Sequence, residues 1–160
     1  MSKKKPALFA AALGAGALTL TLTLSAFPAT TAQATSAPTV IDLAIGNDGV
    51  VQTDVGDPGL SIGDEFVYAD TLYRNGRRVG EDGSSCQVTR VDGERITTNC
   101  VLSVQLPQGQ ITAQSLWTKG ADTVRMAVTG GTGAYRGATG ELTCNDIQTP
   151  QETYHIELDR

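Results

Sequence analysis

The sequence predicts an all-β domain, and three observations predict it. Short runs in which apolar and polar residues alternate recur through residues 35–160. Turn signals rich in Gly, Asn, Asp and Pro separate these runs at short intervals. No part of that range shows the apolar repeat of about 3.6 residues that an amphipathic helix requires. Short strands with regular turn signals are typical of a β-sandwich or an up-and-down β-barrel.

The first 34 residues predict a secretory signal peptide. Three lysines at positions 3–5 precede an apolar stretch from Ala7 to Leu24, and Ala32-Gln33-Ala34 supplies a small-x-small cleavage site. A membrane anchor is the alternative, because a stretch of about 18 residues nearly spans a bilayer. The threonines and glycines in the stretch favour secretion. We therefore expect a signal peptide at residues 1–34, one domain at residues 35–160 and no membrane attachment after cleavage.

The charge balance excludes nucleic acid as a partner. The whole chain has 12 Lys and Arg against 17 Asp and Glu. Cleavage removes three lysines and no acids, which leaves 9 basic and 17 acidic residues and a net charge of −8. Lys119 is then the one lysine left, so the domain has no basic surface for nucleic acid or an anionic membrane.

The predicted strands follow one another with mostly short connections. Asn75-Gly76 and Asp92-Gly93 are strong hairpin turn signals. Residues 46–63 are rich in glycine and aspartate and predict one long loop. The eight predicted strands cover residues 40–45, 64–73, 78–91, 95–106, 110–117, 123–128, 142–148 and 154–158.

Two of the three cysteines flank a hairpin turn. A three-residue loop at 92–94 would place Cys86 directly opposite Cys100, whereas a two-residue loop would put them out of step, on opposite faces. An oxidising compartment favours the cross-strand disulfide Cys86–Cys100, which we predict. Cys144 is then left over, either reactive or buried as a small apolar side chain, and burial is the commoner fate.

The run VTGGTGAYRGATG at Val128–Gly140 raises the question of a phosphate-binding loop. It lacks the lysine and the following hydroxyl of a Walker A motif. A dinucleotide-binding fingerprint would need a helix after it, yet Gly140-Glu-Leu-Thr-Cys-Asn predicts a strand. We interpret the run as a tight connection between strands, in which glycines allow positive φ and close backbone approach.

Several motifs in consistent order resemble the allene oxide cyclase barrel across residues 64–157. They are Gly63-Asp64 with Leu72-Tyr73, Arg78-Val79-Gly80, Gly83-x-x-Cys86, Gly109-x-Ile111 and the run Val128–Gly140. Plant dirigent proteins share the last motif. The resemblance implies an eight-stranded antiparallel up-and-down β-barrel with an apolar central cavity. It also implies no metal or organic cofactor, and assembly as a homo-trimer or dimer.

The resemblance implies a class of function as well. Family members include cyclases of fatty-acid epoxides, bacterial cyclases that perform cycloadditions on polyketides, and dirigent proteins that steer phenoxy radical coupling. In each, the cavity orients a reactive apolar molecule and excludes water. We expect a secreted bacterial isomerase or cyclase acting on a small apolar metabolite. The alternative is a non-catalytic barrel that binds a ligand or a protein partner.

Asp70 is the first catalytic candidate. Side chains alternate along a strand, so one face of the second predicted strand carries Phe66, Tyr68, Asp70 and Leu72. If that face lines the cavity, burial raises the pKa of Asp70 into the range of an acid or base. In the plant cyclases an asparagine that helps hold a water stands where Asp70 stands here. The alternative is a solvated carboxylate near the rim, paired with a neighbouring arginine.

Asp42 is the second catalytic candidate. It alternates with Val40 and Ala44 on the first strand, where the resemblance places an acid of the plant enzymes. The alternative is an exposed acid on the outside of the strand. The resemblance also places Cys86 in the cavity wall, a role that a disulfide would remove.

The remaining candidates would contact a substrate. Tyr135 and Arg136 are expected at a mouth of the barrel, where Arg136 would hold either a substrate carboxylate or an acid of a neighbouring subunit, and where packing is the expected role of Tyr135. Trp117 and Tyr154 offer large apolar surfaces for a cavity wall, as Phe66 and Tyr68 do, although core packing explains Trp117 and Tyr154 equally well. The single histidine and the scattered acids show no metal-ligand spacing.

Overall fold

The computed structural model describes residues 37–159, and the predicted signal peptide at residues 1–34 lies outside them. This part of the chain forms eight strands and one 3-10 turn, Gly133–Tyr135. The strands are β1 (Thr39–Thr53), β2 (Glu65–Arg74), β3 (Arg77–Asp92), β4 (Arg95–Leu106), β5 (Gly109–Thr118), β6 (Thr123–Gly131), β7 (Thr139–Asn145) and β8 (Thr153–Asp159). No helix in the described part of the chain is long and apolar enough to span a membrane.

The strands close into a barrel. Each strand pairs antiparallel with the next along the chain, and β8 pairs with β1. This order is that of an up-and-down barrel, so the implied fold is confirmed and the sandwich is excluded. Closure leaves no free edge among these eight strands.

The connections between strands alternate between the two ends of the barrel. The β1–β2, β3–β4, β5–β6 and β7–β8 connections lie at one end, which we call the open end because a cavity lies there. The β2–β3, β4–β5 and β6–β7 connections lie at the other, which we call the closed end.

Apolar side chains fill the closed half of the barrel. Alternation along each strand directs every second side chain inward. Seven apolar side chains of the described residues are at most 1% exposed. Six of them lie in the middle of their strands or toward the closed end, and the seventh, Val88, lies toward the open end; the six are Leu72, Val104, Ile111, Ala113, Leu142 and Ile156. Burial of a side chain of this size stabilises a fold by about 1.5–3 kcal/mol. The closed half is therefore the main apolar core.

The run Val128–Gly140 connects β6 to β7 across the closed end. A Cβ at Gly131 would stand 2.5 Å from the carbonyl oxygen of Gln110 and 2.6 Å from that of Tyr135, which is too close for any side chain. Gly133 has a φ of +58°, and a Cβ there would meet the backbone of Gln108. The predicted tight connection is confirmed. At Gly131, however, glycine is required because there is no space for a side chain. A positive φ is not the reason at this position.

Strand β1 is longer than predicted, because it continues to Thr53 through the first part of the predicted loop. Residues 49–53 pair with residues 65–69 of β2, and a bulge at Asp48 absorbs one residue. Glycine and aspartate suggested a loop, but pairing with β2 satisfies the backbone groups here. Strand β7 is also shifted toward the N-terminus, to Thr139–Asn145.

Asp64 organises the shortened β1–β2 connection. Its side chain is fully buried, and its carboxylate accepts the backbone N–H groups of Val55 and Ser61 at 2.8 and 2.9 Å. These hydrogen bonds lower the pKa of Asp64 from its ordinary value.

The β3–β4 hairpin contains the predicted disulfide. It turns through two residues, 93–94, which alone would put the cysteines out of step. A bulge at Thr89 shifts the register by one residue and brings Cys86 opposite Cys100, with Cα atoms 4.0 Å apart. The disulfide Cys86–Cys100 is thus confirmed, by a bulge that the turn residues did not indicate. Cys144 is free and buried.

Candidate functional site

A cavity occupies the open half of the barrel. All eight strands contribute to its wall, together with Ile147 and Gln148 of the β7–β8 connection. Apolar side chains in the wall include Leu102, Trp117 and Met126. The free volume is about 60 Å³, which is room for a few water molecules at roughly 10–15 Å³ each.

Three buried carboxyl groups lie inside the barrel, and we call them the carboxyl cluster: Asp70 and Glu152, which line the cavity, and Asp82, which neighbours Asp70 and is not part of the cavity wall. They are 8%, 5% and 9% exposed, respectively. Asp70 on β2 and Asp82 on β3 are cross-strand partners, while Glu152 directly precedes β8. No Lys or Arg within residues 37–159 forms an ion pair with any of the three. Burial without a cationic partner, together with repulsion between neighbouring carboxylates, favours retention of protons by Asp70 and Asp82.

Burial shifts the acidity of two members of the carboxyl cluster. It raises the pKa of Asp70 to about 6, although the backbone N–H of Asp48, which donates to Oδ1 at 3.2 Å, acts in the opposite direction. Burial raises the pKa of Asp82 to about 7, and the nearby Tyr154 hydroxyl opposes it. Neither oxygen of Asp82 accepts a well-aligned hydrogen bond from the described residues. Both carboxyls therefore change protonation near neutral pH, as an acid or base catalyst must.

Two donors hold Glu152 in place. The Cys144 thiol donates to Oε1 at 3.2 Å, and the backbone N–H of Gln148 donates to Oε2 at 2.7 Å. Burial raises the pKa of the Cys144 thiol and of the Tyr154 phenol well above their ordinary values. The site therefore places carboxyls that exchange protons at neutral pH beside a thiol and a phenol that keep theirs.

Five of the residues proposed from the sequence for catalysis or for the cavity wall line the cavity: Tyr68, Asp70, Cys86, Trp117 and Tyr154. Cys86 does so while bonded to Cys100, so a wall position and the disulfide are compatible. Phe66 is buried in the barrel at 3% exposure but is not part of the cavity wall.

Tyr135 and Arg136 lie at an end of the barrel, as expected, but at the end opposite the cavity, where they line a separate surface pocket; the substrate contact of Arg136 stays a prediction. The β6–β7 connection that carries them belongs to the closed end. Tyr135 is buried there in the core, and Arg136 is exposed. The motif indicated a barrel end correctly but did not indicate which end holds the cavity.

Asp42 lies outside the barrel, so its assignment as a catalytic candidate is corrected. Ile41 and Leu43 on either side of it face the core. The side chain of Asp42 is 75% exposed, and its Oδ1 lies 2.6 Å from Nδ1 of His155. This pairing raises the pKa of His155. Side chains alternate along β1, so Asp42 faces outward between two inward-facing neighbours. The exposed acid given as the alternative is therefore what the structure has.

The sequence analysis did not identify two members of the carboxyl cluster, Asp82 and Glu152. The signal for Asp82 was available, because it shares a strand face with Cys86 four residues later. Glu152 follows the Pro150 turn and stands two residues before Tyr154, on the same face. No group of three His, Cys, Asp or Glu within residues 37–159 is arranged to hold a metal ion.

The fold and the site define a closed eight-stranded β-barrel, packed solid at one end and carrying a cavity with buried carboxyls at the other. The chain belongs to the allene oxide cyclase barrel-like domain family, whose model matches residues 29–158.

Solved structures agree with this membership. A pyocyanin demethylase is 38% identical with a TM-score of 0.71, and the match covers 75% of this chain and 99% of that chain. AbnU, an exo-specific intermolecular Diels–Alderase, is 19% identical with a TM-score of 0.61, over 77% of this chain and 98% of that chain. A pterocarpan synthase dirigent protein is 15% identical with a TM-score of 0.57, over 84% and 94%. The last two likenesses show the fold alone. A comparison with curated protein sequences gives no match.

Proposed function

We propose that this protein is a secreted enzyme that acts without a cofactor. It binds a small, flat, largely apolar molecule in the barrel cavity and moves a proton on it with buried carboxyl groups. The carboxyl cluster carries the proposal, because Asp70 and Asp82 have pKa values of about 6 and about 7 beside a cavity with an apolar wall. The disulfide supports an oxidising compartment.

Asp70, which lines the cavity, fits the role of the base that contacts the ligand, and Asp82, its cross-strand partner outside the cavity wall, fits that of a proton reservoir behind it. Near neutral pH, Asp70 is mostly ionised and accepts a proton from an acidic C–H or N–H of the ligand. The protonated cluster returns a proton to a second atom of the same ligand. Because Asp70 and Asp82 are cross-strand partners, a proton passing between them restores the starting state. The sum is an isomerisation that consumes no oxidant, reductant or metal.

The size of the cavity supports a compact substrate. Its 60 Å³ is less than the roughly 150 Å³ that encloses a benzene ring, so even one ring must displace water and shift side chains such as Gln148. A long acyl chain would need far more room. The 38% identical pyocyanin demethylase supports an aromatic substrate, and a three-ring phenazine would have to open the cavity further than a single ring does. Phenazines are therefore the first substrates to test.

Ring closure by orientation alone is the second candidate function. The cavity wall favours it in one respect, since Leu102, Trp117 and Met126 offer apolar surface on which a reactive molecule can be held in one fold. The carboxyl cluster argues for proton transfer instead, because a cycloaddition moves no proton and does not need buried carboxyls. A non-catalytic barrel would likewise not need them.

The test is proton exchange on a bound ligand. We expect the secreted domain, incubated in D2O with pyocyanin and related phenazines, to place deuterium on the ligand, followed by mass spectrometry. Asp70→Asn should abolish this activity. Asp42→Asn, the same change on the outside of the barrel, should behave as wild type. Binding without exchange would favour the non-catalytic barrel, and no binding of any phenazine would contradict the proposed substrate class.

A further inference from the structure

The one lysine of the described residues lies at the open end of the barrel, close to Trp117 of the cavity wall. Lys119 sits in the β5–β6 connection at the open end, two residues after Trp117. Its backbone N–H donates to the Ile96 carbonyl at 2.9 Å, which holds the connection against β4. Its ammonium lies 3.9 Å from the centroid of the Phe66 ring and 6.0 Å from that of Trp117, a residue of the cavity wall.

This ammonium has no carboxylate partner within residues 37–159, where the cationic groups in ion pairs are Arg78, Arg125 and His155. The Phe66 ring faces it instead, in a cation–π contact. Partial burial lowers the pKa of Lys119, because the ammonium has lost part of its hydration. A partly desolvated cation without a counter-ion gains more from an anionic partner than a fully hydrated surface lysine does.

Acidic and basic groups lie on different sides of the cavity. Every arginine within residues 37–159 is exposed, so Lys119 is the one cation of that range packed against a cavity-wall residue. The carboxyl cluster supplies the negative groups inside the barrel. A ligand in the cavity therefore meets acids toward Asp70 and Glu152 and a cation beside Trp117.

We propose that Lys119 is the residue that recognises and orients the ligand, by binding an anionic oxygen, a carboxylate or phenolate, on an aromatic molecule whose rings lie against Trp117. The anionic oxygen is held at the edge of the cavity, and the reacting part of the molecule lies toward the carboxyl cluster. This inference rests on the proposed function and narrows its substrate class to small aromatic molecules with an anionic oxygen.

Two variants separate charge from packing. Lys119→Met keeps an unbranched stem over Phe66 and removes the charge, and Lys119→Arg keeps the charge. Thermal unfolding of both variants establishes that the barrel remains folded. Trp117 is the single tryptophan of the chain, so quenching of tryptophan fluorescence reports binding at this wall.

The probes are matched pairs that differ only in charge: phenazine-1-carboxylate with phenazine-1-carboxamide, and 1-naphthoate with 1-naphthamide. We expect wild type to bind each carboxylate about tenfold more tightly than its carboxamide, an effect typical of one charged hydrogen bond at a partly buried site. Lys119→Met should bind both members of a pair equally, through weaker binding of the carboxylate. Lys119→Arg should keep the preference.

An unchanged preference in Lys119→Met would overturn the assignment, and so would equal binding of both members of each pair by wild type or no carboxylate binding at all. The proposed function fails separately. If Lys119→Met loses the charge preference but wild type exchanges no proton on any bound ligand, the role of Lys119 stands and the enzyme proposal falls. If the carboxamides bind as tightly as the carboxylates while proton exchange is normal, the enzyme proposal stands and the role of Lys119 in recognising the anionic oxygen falls.

Discussion

At the closed end of the barrel a side chain at Gly131 would collide with backbone, whereas the open end leaves about 60 Å³ unfilled beside buried carboxyls. The same eight strands run through both ends. In the closed half, the interior holds apolar side chains such as Leu72 and Ile111, neither of which is exposed. In the open half, the Tyr68 hydroxyl lines the cavity, buried without a hydrogen-bond partner among the described residues, and Asp82 is likewise unpartnered near the middle of the barrel. Dense apolar packing and buried polar groups are therefore unevenly distributed along the barrel axis.

The uneven distribution has an energetic reason. Burying a polar group without a partner costs roughly 1–3 kcal/mol by protein mutational data, and a carboxyl avoids a larger cost by keeping its proton. The apolar packing of the closed half offsets such costs in the open half. A local arrangement that disfavours folding is expected where a protein performs chemistry.

The largest effect is expected from filling the closed end. Gly131→Val would drive a side chain into the backbone of Gln110 and Tyr135, with a loss of about 3 kcal/mol or more in the free energy of unfolding. Gly49→Val is the matched control, because Gly49 lies on β1 with nothing within 4 Å of its Cβ position. Urea unfolding measures both. Equal stability of the two variants would show that the closed end is not tightly packed.

The next effect compares two residues on one face of β2. Asp70→Asn should lower turnover by about 10²–10⁴-fold, the usual range for a lost acid or base, while the melting temperature stays the same or rises. Leu72→Ala should do the opposite and cost about 2–5 kcal/mol of stability, because Leu72 is fully buried in the closed half. Measuring turnover and the melting temperature of both variants tests this contrast. Loss of stability in Asp70→Asn would place that carboxyl among the structural residues.

The disulfide lies in the cavity wall of the open half, and its contribution to stability should follow from the loop that it closes. Replacing both Cys86 and Cys100 with alanine should cost about 3 kcal/mol by the chain-entropy estimate, measured by urea unfolding. Intact mass of the secreted protein, which should begin near Thr35, tests the bond directly. Thiols at both positions that react with iodoacetamide before reduction would rule the disulfide out.

The smallest expected effect is a pH dependence of stability. The pKa values of Asp70 and Asp82 rise from 3.8 to about 6 and about 7 in the folded protein. Between about pH 4 and pH 7 the unfolded chain has lost these protons and the folded chain retains them, so rising pH destabilises the fold across this window. Asp82→Asn should therefore show a shallower decline than wild type from about pH 4 to pH 7 in urea unfolding.

The two proteins must be compared with each other, because other groups also titrate. The raised pKa of His155 adds a decline of the same sign at somewhat higher pH, and the lowered pKa of Asp64 adds a loss of stability toward acid. Both contributions are common to wild type and Asp82→Asn. Parallel curves for the two proteins would contradict a protonated, buried Asp82.

Most of the fold could be predicted from the sequence, because alternation and hairpin signals are local. They indicated eight strands and placed Asp70 on a face with Phe66 and Tyr68. The bulges at Asp48 and Thr89 could not be predicted, since each depends on how two strands pair. For the same reason Asp82 was missed, because its position beside Asp70 is a matter of register between β2 and β3.

Which end of the barrel holds the site was also beyond local patterns. Tyr135 and Arg136 are conspicuous in the glycine run, and their chemistry suggested a ligand contact. Their connection nevertheless joins an even-numbered strand to an odd-numbered one, which places it opposite Trp117 and Gln148. The place of a connection in the strand order therefore predicts its end of the barrel, whereas its amino-acid composition does not.

The free thiol of Cys144 has a consequence for measuring how the barrel moves. A thiol that donates to Glu152 and is held protonated by burial reacts slowly with alkylating reagents while the barrel is shut. Its labelling rate then reports how often the open half separates far enough to admit a reagent. The rate of Cys144 alkylation, followed by mass spectrometry, therefore measures opening of this end of the barrel in the native protein, with no engineered probe. A ligand that closes the cavity should lower the alkylation rate of Cys144.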